Sequence, residues 1–128
     1  MIKPFTLKTN FNVSAKQIYA AWLNSEEHSS MTGGEASASD TEGDSFTAWD
    51  RYIWGKNISL IPNEKMTFSW RTSNFNDEHE DSIVEIELKD TSSGCELSLS
   101  HSNIPEDGAN YETGWEEHYF VPMREYFG

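Results

Sequence analysis

Residues 114–128 read GWEEHYFVPMREYFG, and the rest of the chain has to fold around them. An α-helix turns once in about 3.6 residues, so side chains at i, i+4, i+7 or i+8, and i+11 share one face. An aromatic stripe recurs at this spacing and consists of Tyr111, Trp115, Tyr119, Pro122 or Met123, and Tyr126. Glu112, Glu116 and Arg124 fall toward the opposite side. The segment therefore predicts an amphipathic helix whose aromatic face needs a large apolar cover.

Pro122 is an unusual residue for the interior of this helix. Proline lacks the N–H that would bond the carbonyl of His118, and its ring clashes with that turn at a cost of about 3 kcal/mol. We therefore expect a kink or a break near Val121. Such a kink would either let the last turn follow a curved sheet or leave a gap at the mouth of a pocket, and we favour curvature.

Length and charge limit the classes of function. The chain has 128 residues, 22 acidic and 9 basic side chains, and a formal net charge of -13. Residues 1–128 are enough for a single domain that buries its own core without a metal or a disulfide. A strongly negative protein repels nucleic acid and anionic membranes, which bind clusters of Lys and Arg. The charge fits a soluble protein, or one with a basic protein partner.

Cys95 is the only cysteine, so the chain forms no intramolecular disulfide and a reducing compartment is expected. Its position at the start of an alternating apolar run predicts a buried structural thiol rather than a nucleophile. No signal peptide and no membrane span is visible in the sequence. We therefore expect a cytoplasmic protein, and a monomer.

A strand and two short helices are expected at the start of the chain. Phe5–Phe11 alternates apolar and polar residues, as a half-buried strand does. Ser14 is placed to cap a helix, with Gln17 three residues later completing a capping box. Ser25 is expected to cap a second helix that ends at residues 32–34. The polar segment up to residue 44 predicts at most an exposed edge strand.

The middle of the chain predicts antiparallel β-structure. In residues 65–71, Met66, Phe68 and Trp70 alternate with polar side chains, so that one face is buried and the other is wet. The charged run 73–81 is expected to be a hairpin loop. The same alternation predicts further strands at residues 45–49, 53–61, 84–88 and 95–101. The terminal helix is the one long amphipathic element left to cover the resulting sheet.

Several of these residues, in this order along the chain, resemble one known family. They are Met31-Thr32-Gly33-Gly34, residues 46–54, Leu60-Ile61-Pro62, Trp70-Arg71, and Gly114-Trp115 with Tyr119, Pro122 and Tyr126. The set is similar to the activator of heat-shock-protein-90 ATPase homologue family, within the START-like (SRPBCC, birch-pollen-allergen-like) superfamily. The resemblance implies an α+β helix-grip fold, in which a curved antiparallel sheet of about seven strands wraps a long C-terminal helix and leaves a cavity. Eukaryotic relatives carry this module in a larger co-chaperone that stimulates the chaperone's ATPase.

The aromatic face and the implied cavity together give a set of candidate ligand-binding residues. Either these side chains line a pocket or they pack into a solid core, and the sequence leaves both open. Three of the helix aromatics are tyrosines, and a buried hydroxyl needs a hydrogen-bond partner, which a ligand would supply. The candidates are Met31, Trp49, Trp54, Met66, Phe68, Trp70, Leu99, His101, Tyr111, Trp115, His118, Tyr119 and Met123.

Catalytic and metal-binding patterns are weak. The four histidines are scattered and none is at metal-ligand spacing to another, so neither a metal nor another cofactor is expected. His101, Asp50 and His118 are the candidates for acid–base chemistry, although a structural role is expected of each. The leading hypothesis is a non-enzymatic module that binds a small apolar or aromatic ligand. The alternatives are a co-chaperone-like interaction module acting on a chaperone ATPase, and a cavity enzyme similar to polyketide cyclases or dehydratases.

Overall fold

The structure is a computed structural model that describes residues 2–128. A strand and two helices come first, five more strands follow, and a helical segment ends the chain. In order, the elements are β1 (Phe5–Phe11), α1 (Ala15–Trp22), α2 (Ser25–Thr32), β2 (Ser45–Ala48), β3 (Ile53–Ile61), β4 (Lys65–Thr72), β5 (Ser82–Thr91), β6 (Gly94–Ser102), α3 (Tyr111–Trp115), a π-helical turn (Glu116–Phe120) and α4 (Val121–Phe127). Residues 111–127 are helical throughout and are called the C-terminal helix below.

One antiparallel sheet accounts for all six named strands, in the order β1-β6-β5-β4-β3-β2. Its inner face is buried against the C-terminal helix, which confirms the expected α+β helix-grip fold. The sheet has six strands rather than about seven. The weakly alternating segment before β2 adds only one bridge, Ser37 to Thr47, because its small polar residues give a strand little to bury.

The alternation of β4 shows why the sheet forms one covered face. Met66, Phe68 and Trp70 are at most 4% exposed, whereas the residues between them are half-buried on the outer side. The expected loop between β4 and β5 is also confirmed. Phe75 in that loop is nevertheless buried and packs edge-on against Trp70, a contact that the charged character of residues 73–81 concealed.

The two N-terminal helices test the capping predictions. Ser14 and Gln17 form the expected capping box, with the Gln17 N–H donating to Ser14 Oγ at 3.2 Å. The prediction that Ser25 caps α2 is wrong, because Asn24 takes that place and its Oδ1 accepts from the Glu27 N–H at 3.0 Å. Ser25 Oγ instead accepts from the Ala38 N–H at 2.8 Å, so it holds the segment that leads to β2.

The C-terminal helix contains a widened turn immediately before Pro122. The Val121 N–H donates to the Glu116 carbonyl, five residues back, so one extra residue is accommodated in this turn. The helix therefore continues past Val121, where a kink or a break was expected, with Pro122 in the first turn of α4. The extra residue also moves the buried face on by one position. Phe127 packs on Phe11, while Tyr126 is 45% exposed, so its predicted place on the buried face is wrong.

The prediction that Cys95 is a buried thiol is confirmed. Cys95 is a free thiol, and burial raises the pKa of that thiol. Of the helices formed by residues 2–128, none is both long and apolar enough to cross a membrane.

Candidate functional site

A cavity of about 210 Å³ lies under the first two turns of the C-terminal helix. Its other walls are the turn between β2 and β3 and the indole of Trp70 on β4. Among the residues that the structure describes, its lining contains no Asp, Glu, Lys or Arg. The lining residues are Trp49, Tyr52, Ile53, Trp70, Ala109, Asn110, Tyr111, Gly114, Trp115, His118 and Tyr119.

The candidate residues from the sequence divide into three groups. One group lines the cavity and comprises Trp49, Trp70, Tyr111, Trp115, His118 and Tyr119. A second group is buried in the core without lining this cavity and comprises Met31, Met66, Phe68, Leu99, His101 and Met123. Trp54 is 39% exposed on the outer side of β3, apart from both groups. The space under the helix is therefore filled at one end and open at the other.

The filled part is a cluster of rings in mutual contact. The Trp70 and Trp115 ring centroids are 5.5 Å apart, and Tyr111 meets Trp70 edge-on at 5.2 Å. Trp115 and Tyr119 are separated by 4.9 Å, and Tyr119 stacks on Trp22 of α1 at 4.9 Å. These contacts fix the rings that form the inner wall of the cavity, because each ring is held by at least one other.

Gly114 lies in the cavity wall on the helix side and was not among the predicted residues. A Cβ added there would meet no atom within 4 Å, so the packing of neighbouring residues does not require a glycine. Glycine in a helix interior is less stable than alanine by roughly 0.5–1 kcal/mol. The sequence does show a glycine inside a predicted helix. The structure adds that this glycine leaves space at the cavity and does not relieve a clash.

The turn between β2 and β3 forms the opposite wall in a strained backbone conformation. Trp49, Asp50 and Arg51 have φ values of 50°, 58° and 72°, although none of them is glycine. Left-handed backbone of this kind is disfavoured by about 1–2 kcal/mol per residue and is common at functional sites. Two hydrogen bonds of 3.0 Å hold the turn in place, from the Asp50 N–H to the Glu35 carbonyl and from the Glu35 N–H to Asp50 Oδ1. Asp50 therefore anchors this turn.

Trp49 in the same wall also carries a buried polar group. Its indole N–H is buried and has no hydrogen-bond partner within residues 2–128. Its ring meets the exposed imidazole of His118 edge-on, with centroids 5.5 Å apart. A buried donor without an acceptor costs about 1–3 kcal/mol, so the contacts around Trp49 hold its ring there at a cost in stability.

The three tyrosine hydroxyls of the C-terminal helix, by contrast, are bonded to protein groups. Tyr111 donates to Asp107 and lies 2.8 Å from Thr72 Oγ1, and burial together with the bond to Asp107 raises the pKa of its phenol. Tyr119 O–H lies 2.9 Å from His28 Nε2, and burial raises the pKa of Tyr119. Tyr126 donates to Glu27 at the surface over 3.3 Å. A ligand is therefore not needed to satisfy any of them.

His101 sits in a closed hydrogen-bond chain. Trp115 Nε1–H donates to His101 Nδ1 at 3.1 Å, so Nε2 carries the proton and donates to Ser82 Oγ at 2.8 Å. Ser82 in turn donates to the Trp70 carbonyl at 2.8 Å. Burial lowers the pKa of His101 to about 3. This imidazole is a neutral bridge between sheet and helix, and neither ring nitrogen is free for acid–base chemistry.

The site therefore suits a small, largely apolar molecule rather than a metal or a charged cofactor. Within residues 2–128, no three His, Cys, Asp or Glu side chains converge as metal ligands would. Several lining residues carry polar side-chain groups, among them Tyr52, Asn110 and the exposed His118. An aromatic wall with a few polar groups at its edge is typical of sites for small organic ligands.

Comparison with known proteins adds a family and a fold. A family model described as activator of Hsp90 ATPase homolog 1-like protein matches residues 12–128. A comparison with curated proteins finds no match. Among solved structures, PFC0360w, an HSP90 activator from Plasmodium falciparum, is 19% identical, with a TM-score of 0.85 over 96% of this chain and 94% of that one.

Two bacterial structures are similar over nearly the whole chain. Protein CV1439 from Chromobacterium violaceum is 19% identical, with a TM-score of 0.78 over 98% of both chains. The Aha1 dimer from Colwellia psychrerythraea is 13% identical, with a TM-score of 0.77 over 98% of this chain and 94% of that one. At such identities the likeness shows a shared fold, and function has to be argued from the site.

Proposed function

This chain belongs to the family of activator of Hsp90 ATPase homolog 1-like proteins, and from its cavity we propose that it is a binding module for a small, flat, apolar molecule. The ligand occupies the cavity under the C-terminal helix, between Trp49 and the Trp70–Trp115 pair. The observation that carries this proposal is Gly114, which keeps helix-side space open in the cavity wall where a larger side chain would meet no clash. The helix gives up stability at that position without gaining any contact.

The size and lining of the cavity suggest the class of ligand. A cavity of about 150 Å³ in another protein takes up benzene, and this one measures about 210 Å³. A molecule of one or two rings therefore fits, which is smaller than the ligands of most binding pockets. Ring faces of Trp70, Trp115 and Tyr119 favour stacking with such a molecule.

Gly114→Ala provides the sharpest test, because stability and ligand binding should change in opposite directions. The substitution raises helix propensity, so we expect the free energy of unfolding, measured with urea, to increase by roughly 0.5–1 kcal/mol. It also places a methyl group in the cavity, so affinity for a one- or two-ring ligand should fall. Binding is measured by ligand-observed NMR with a panel of indole, naphthalene and quinoline derivatives.

Thr113→Ala is the matched control for Gly114→Ala. Thr113 is exposed, lies beside Gly114 in α3 and does not line the cavity. Its replacement by alanine should raise stability in the same way and leave ligand affinity unchanged. The proposal is overturned if no member of the panel binds at millimolar concentration, or if both variants affect binding equally.

A second candidate function is regulation of a chaperone ATPase. The observation that favours it is the whole-chain likeness to PFC0360w, which is described as an HSP90 activator. The test is an ATPase assay of a bacterial heat-shock-protein-90 with increasing amounts of this protein, at low and at high salt. Stimulation that weakens as salt rises would indicate an electrostatic contact through the acidic surface. An unchanged ATPase rate, together with no association in a pull-down, would end this candidate.

The cyclase or dehydratase alternative lacks a comparable observation. His101 uses both ring nitrogens in its hydrogen-bond chain, and Asp50 is engaged by the Glu35 N–H. His118 lines the cavity with an exposed ring, but within the described residues no carboxylate, lysine or second histidine that could form an acid–base pair with it lines the cavity. A proton transfer would need such a pair in reach of the substrate.

A further inference from the structure

One ring contact joins the two opposite walls of the cavity where the cavity meets solvent. Trp49 lies in the turn between β2 and β3, and His118 lies in the C-terminal helix, so each belongs to a different wall. Their ring centroids are 5.5 Å apart and the ring planes are inclined by 70°, which is an edge-on contact. Trp49 is half-buried and His118 is exposed. The contact therefore closes the cavity on its outer side.

The other two exposed residues that line the cavity are each fastened to their own wall. The Tyr52 hydroxyl accepts a hydrogen bond of 2.8 Å from the loop after β4. Asn110 Oδ1 accepts from the Thr113 N–H at 3.1 Å, within the first turn of the helix. Among the ring contacts and hydrogen bonds of residues 2–128, the contact of Trp49 with His118 is the one that joins this turn to the helix.

Trp49 is also packed against the segment that follows α2. A Cβ added to Gly34 would lie 2.5 Å from Trp49 Cε3, so the backbone of Gly34 lies directly against the indole. The two hydrogen bonds between Asp50 and Glu35 tie the same two segments together. These segments therefore form one small unit, and His118 meets it through the Trp49 ring. We call this unit, residues 34–35 and 49–51, the flap.

We propose that the flap is the entrance of the cavity and that the His118 ring is the latch that holds it shut. A ligand enters when the edge-on contact breaks and the Trp49 indole parts from the helix, and the contact forms again behind the bound molecule. Exposed side chains change rotamer rapidly, so this latch opens readily. The left-handed backbone of residues 49–51 lowers the cost of leaving the closed state. The inference rests on the proposed ligand function, but the opening itself is measurable without a ligand.

Hydrogen exchange of the Trp49 indole N–H reports the opening directly. This N–H is buried and has no acceptor within residues 2–128, so burial alone protects it from water. His118→Ala should therefore raise its exchange rate by roughly two- to tenfold, the effect expected from losing one aromatic pair. His118→Phe keeps a ring at this position and should restore slow exchange. The Trp115 indole, which donates to His101, should exchange at the same rate in all three proteins.

Binding kinetics connect the flap to ligand entry, with 2-naphthol as the probe. The latch is closed both before entry and after it, so its loss lowers the barrier in both directions. His118→Ala should therefore raise the association and dissociation rates together, by a factor similar to that of the exchange rate, while Kd changes less than either rate. Stopped-flow tryptophan fluorescence measures both rates.

His79→Ala is the matched control for His118→Ala. His79 also makes an edge-on ring contact, with Phe75 at 6.1 Å, but it does not line the cavity. Its loss should change neither the exchange of the Trp49 indole nor the binding rates. The proposal is overturned if Trp49 exchanges equally fast in parent and His118→Ala, or if exchange accelerates while 2-naphthol enters no faster. If 2-naphthol and the rest of the ligand panel fail to bind, the proposed function fails, and exchange alone decides whether the flap opens.

Discussion

At the scale of single residues, the turn from Trp49 to Arg51 is the least relaxed part of the protein. Three successive left-handed residues and a buried indole N–H without an acceptor occur at one wall of the cavity. Either feature alone is compatible with an ordinary tight turn. Together they mean that the surrounding contacts stabilise an otherwise unfavourable backbone conformation at Trp49. The paired hydrogen bonds of Asp50 and Glu35 are the main contacts of this kind. That position makes its indole part of the cavity wall.

Arg51→Gly tests how much strain this turn stores. Arg51 is exposed, so its side chain makes little contribution to packing. Glycine adopts a φ of 72° without a steric penalty. Relief of the strain is partly offset because glycine increases the entropy of the unfolded chain. We therefore expect the free energy of unfolding, measured with urea, to increase by about 0.5–1 kcal/mol. Arg51→Ala is the control, because it removes the same charge and keeps the strain. Equal effects of the two substitutions would show that charge is responsible.

The sequence located much of the cavity wall but misplaced individual side chains. The helix period singled out Tyr111, Trp115 and Tyr119 because spacing alone determines which residues share a helix face. Trp54 was grouped with them, yet it lies outside. In β3 apolar residues occupy both faces, since Ile53 points inward and Trp54 outward, while the inward Asn57 is polar. Alternation cannot assign the faces of such a strand without its neighbours.

At the scale of elements, the C-terminal helix shows how a proline is accommodated. The widened turn over Glu116–Phe120 precedes Pro122, so the proline occupies the first turn of α4, where its missing N–H is tolerated. The same turn advances the buried face and brings Met123 and Phe127 toward the core. The presence of Pro122 predicted a kink or a break near Val121. The structure instead accommodates one extra residue in the helical turn before Pro122. Its form depends on tertiary packing, which local sequence does not contain.

Pro122→Ala distinguishes this arrangement from a proline in an ordinary helix interior. If the widened turn already relieves the clash, the substitution should change the free energy of unfolding by less than about 1 kcal/mol. A proline still opposing the helix would give a gain near 3 kcal/mol instead. Glu125→Pro serves as the comparison, since Glu125 is exposed within α4 and a proline there should be strongly destabilising. Circular dichroism during urea unfolding measures both.

Capping illustrates what a short stretch of sequence does determine. The box formed by Ser14 and Gln17 was predicted because its partners are three residues apart and need nothing else. The cap of α2 was misplaced by one residue, since Asn24 and Ser25 are both good caps. A contact with Ala38, distant in sequence, engages Ser25 and leaves the cap to Asn24. Ambiguity between neighbouring residues is resolved by such tertiary contacts.

At the scale of the whole molecule, two buried histidines join the helices to the rest of the core. His28 Nδ1–H donates to the Trp22 carbonyl at 2.8 Å, and its Nε2 accepts from Tyr119 at 2.9 Å. His101 links Ser82 of β5 to Trp115 of the C-terminal helix. Each bridge uses a neutral imidazole as one donor and one acceptor, and burial lowers the pKa of both rings. The hydrogen bonds of both bridges therefore require a neutral imidazole.

Protonation should affect the two bridges differently. Tyr119 O–H can rotate and accept a hydrogen bond from a protonated His28. The Trp115 indole can only donate, so a proton on His101 Nδ1 would face another donor at 3.1 Å. His101 therefore sets the lower limit of pH at which helix and sheet remain joined, and the rings of Trp70, Phe5 and Tyr111 that pack around it are uncharged.

Acid should consequently destabilise the fold in a defined window. The folded pKa of His101 is about 3 and the unfolded value is 6.5, so the unfolded chain binds the proton first as pH falls. The neutral ring makes its full contribution to the free energy of unfolding above pH 6.5. Below that pH the free energy of unfolding falls by up to about 1.4 kcal/mol per pH unit. Urea unfolding between pH 7 and pH 4.5 should show this slope reduced in His101→Gln and retained in His118→Gln, whose ring is exposed. Nitrogen NMR of the parent imidazoles is the direct check. If His101 Nδ1 gains a proton near pH 6.5 while the protein remains folded, the bridge does not depend on neutrality.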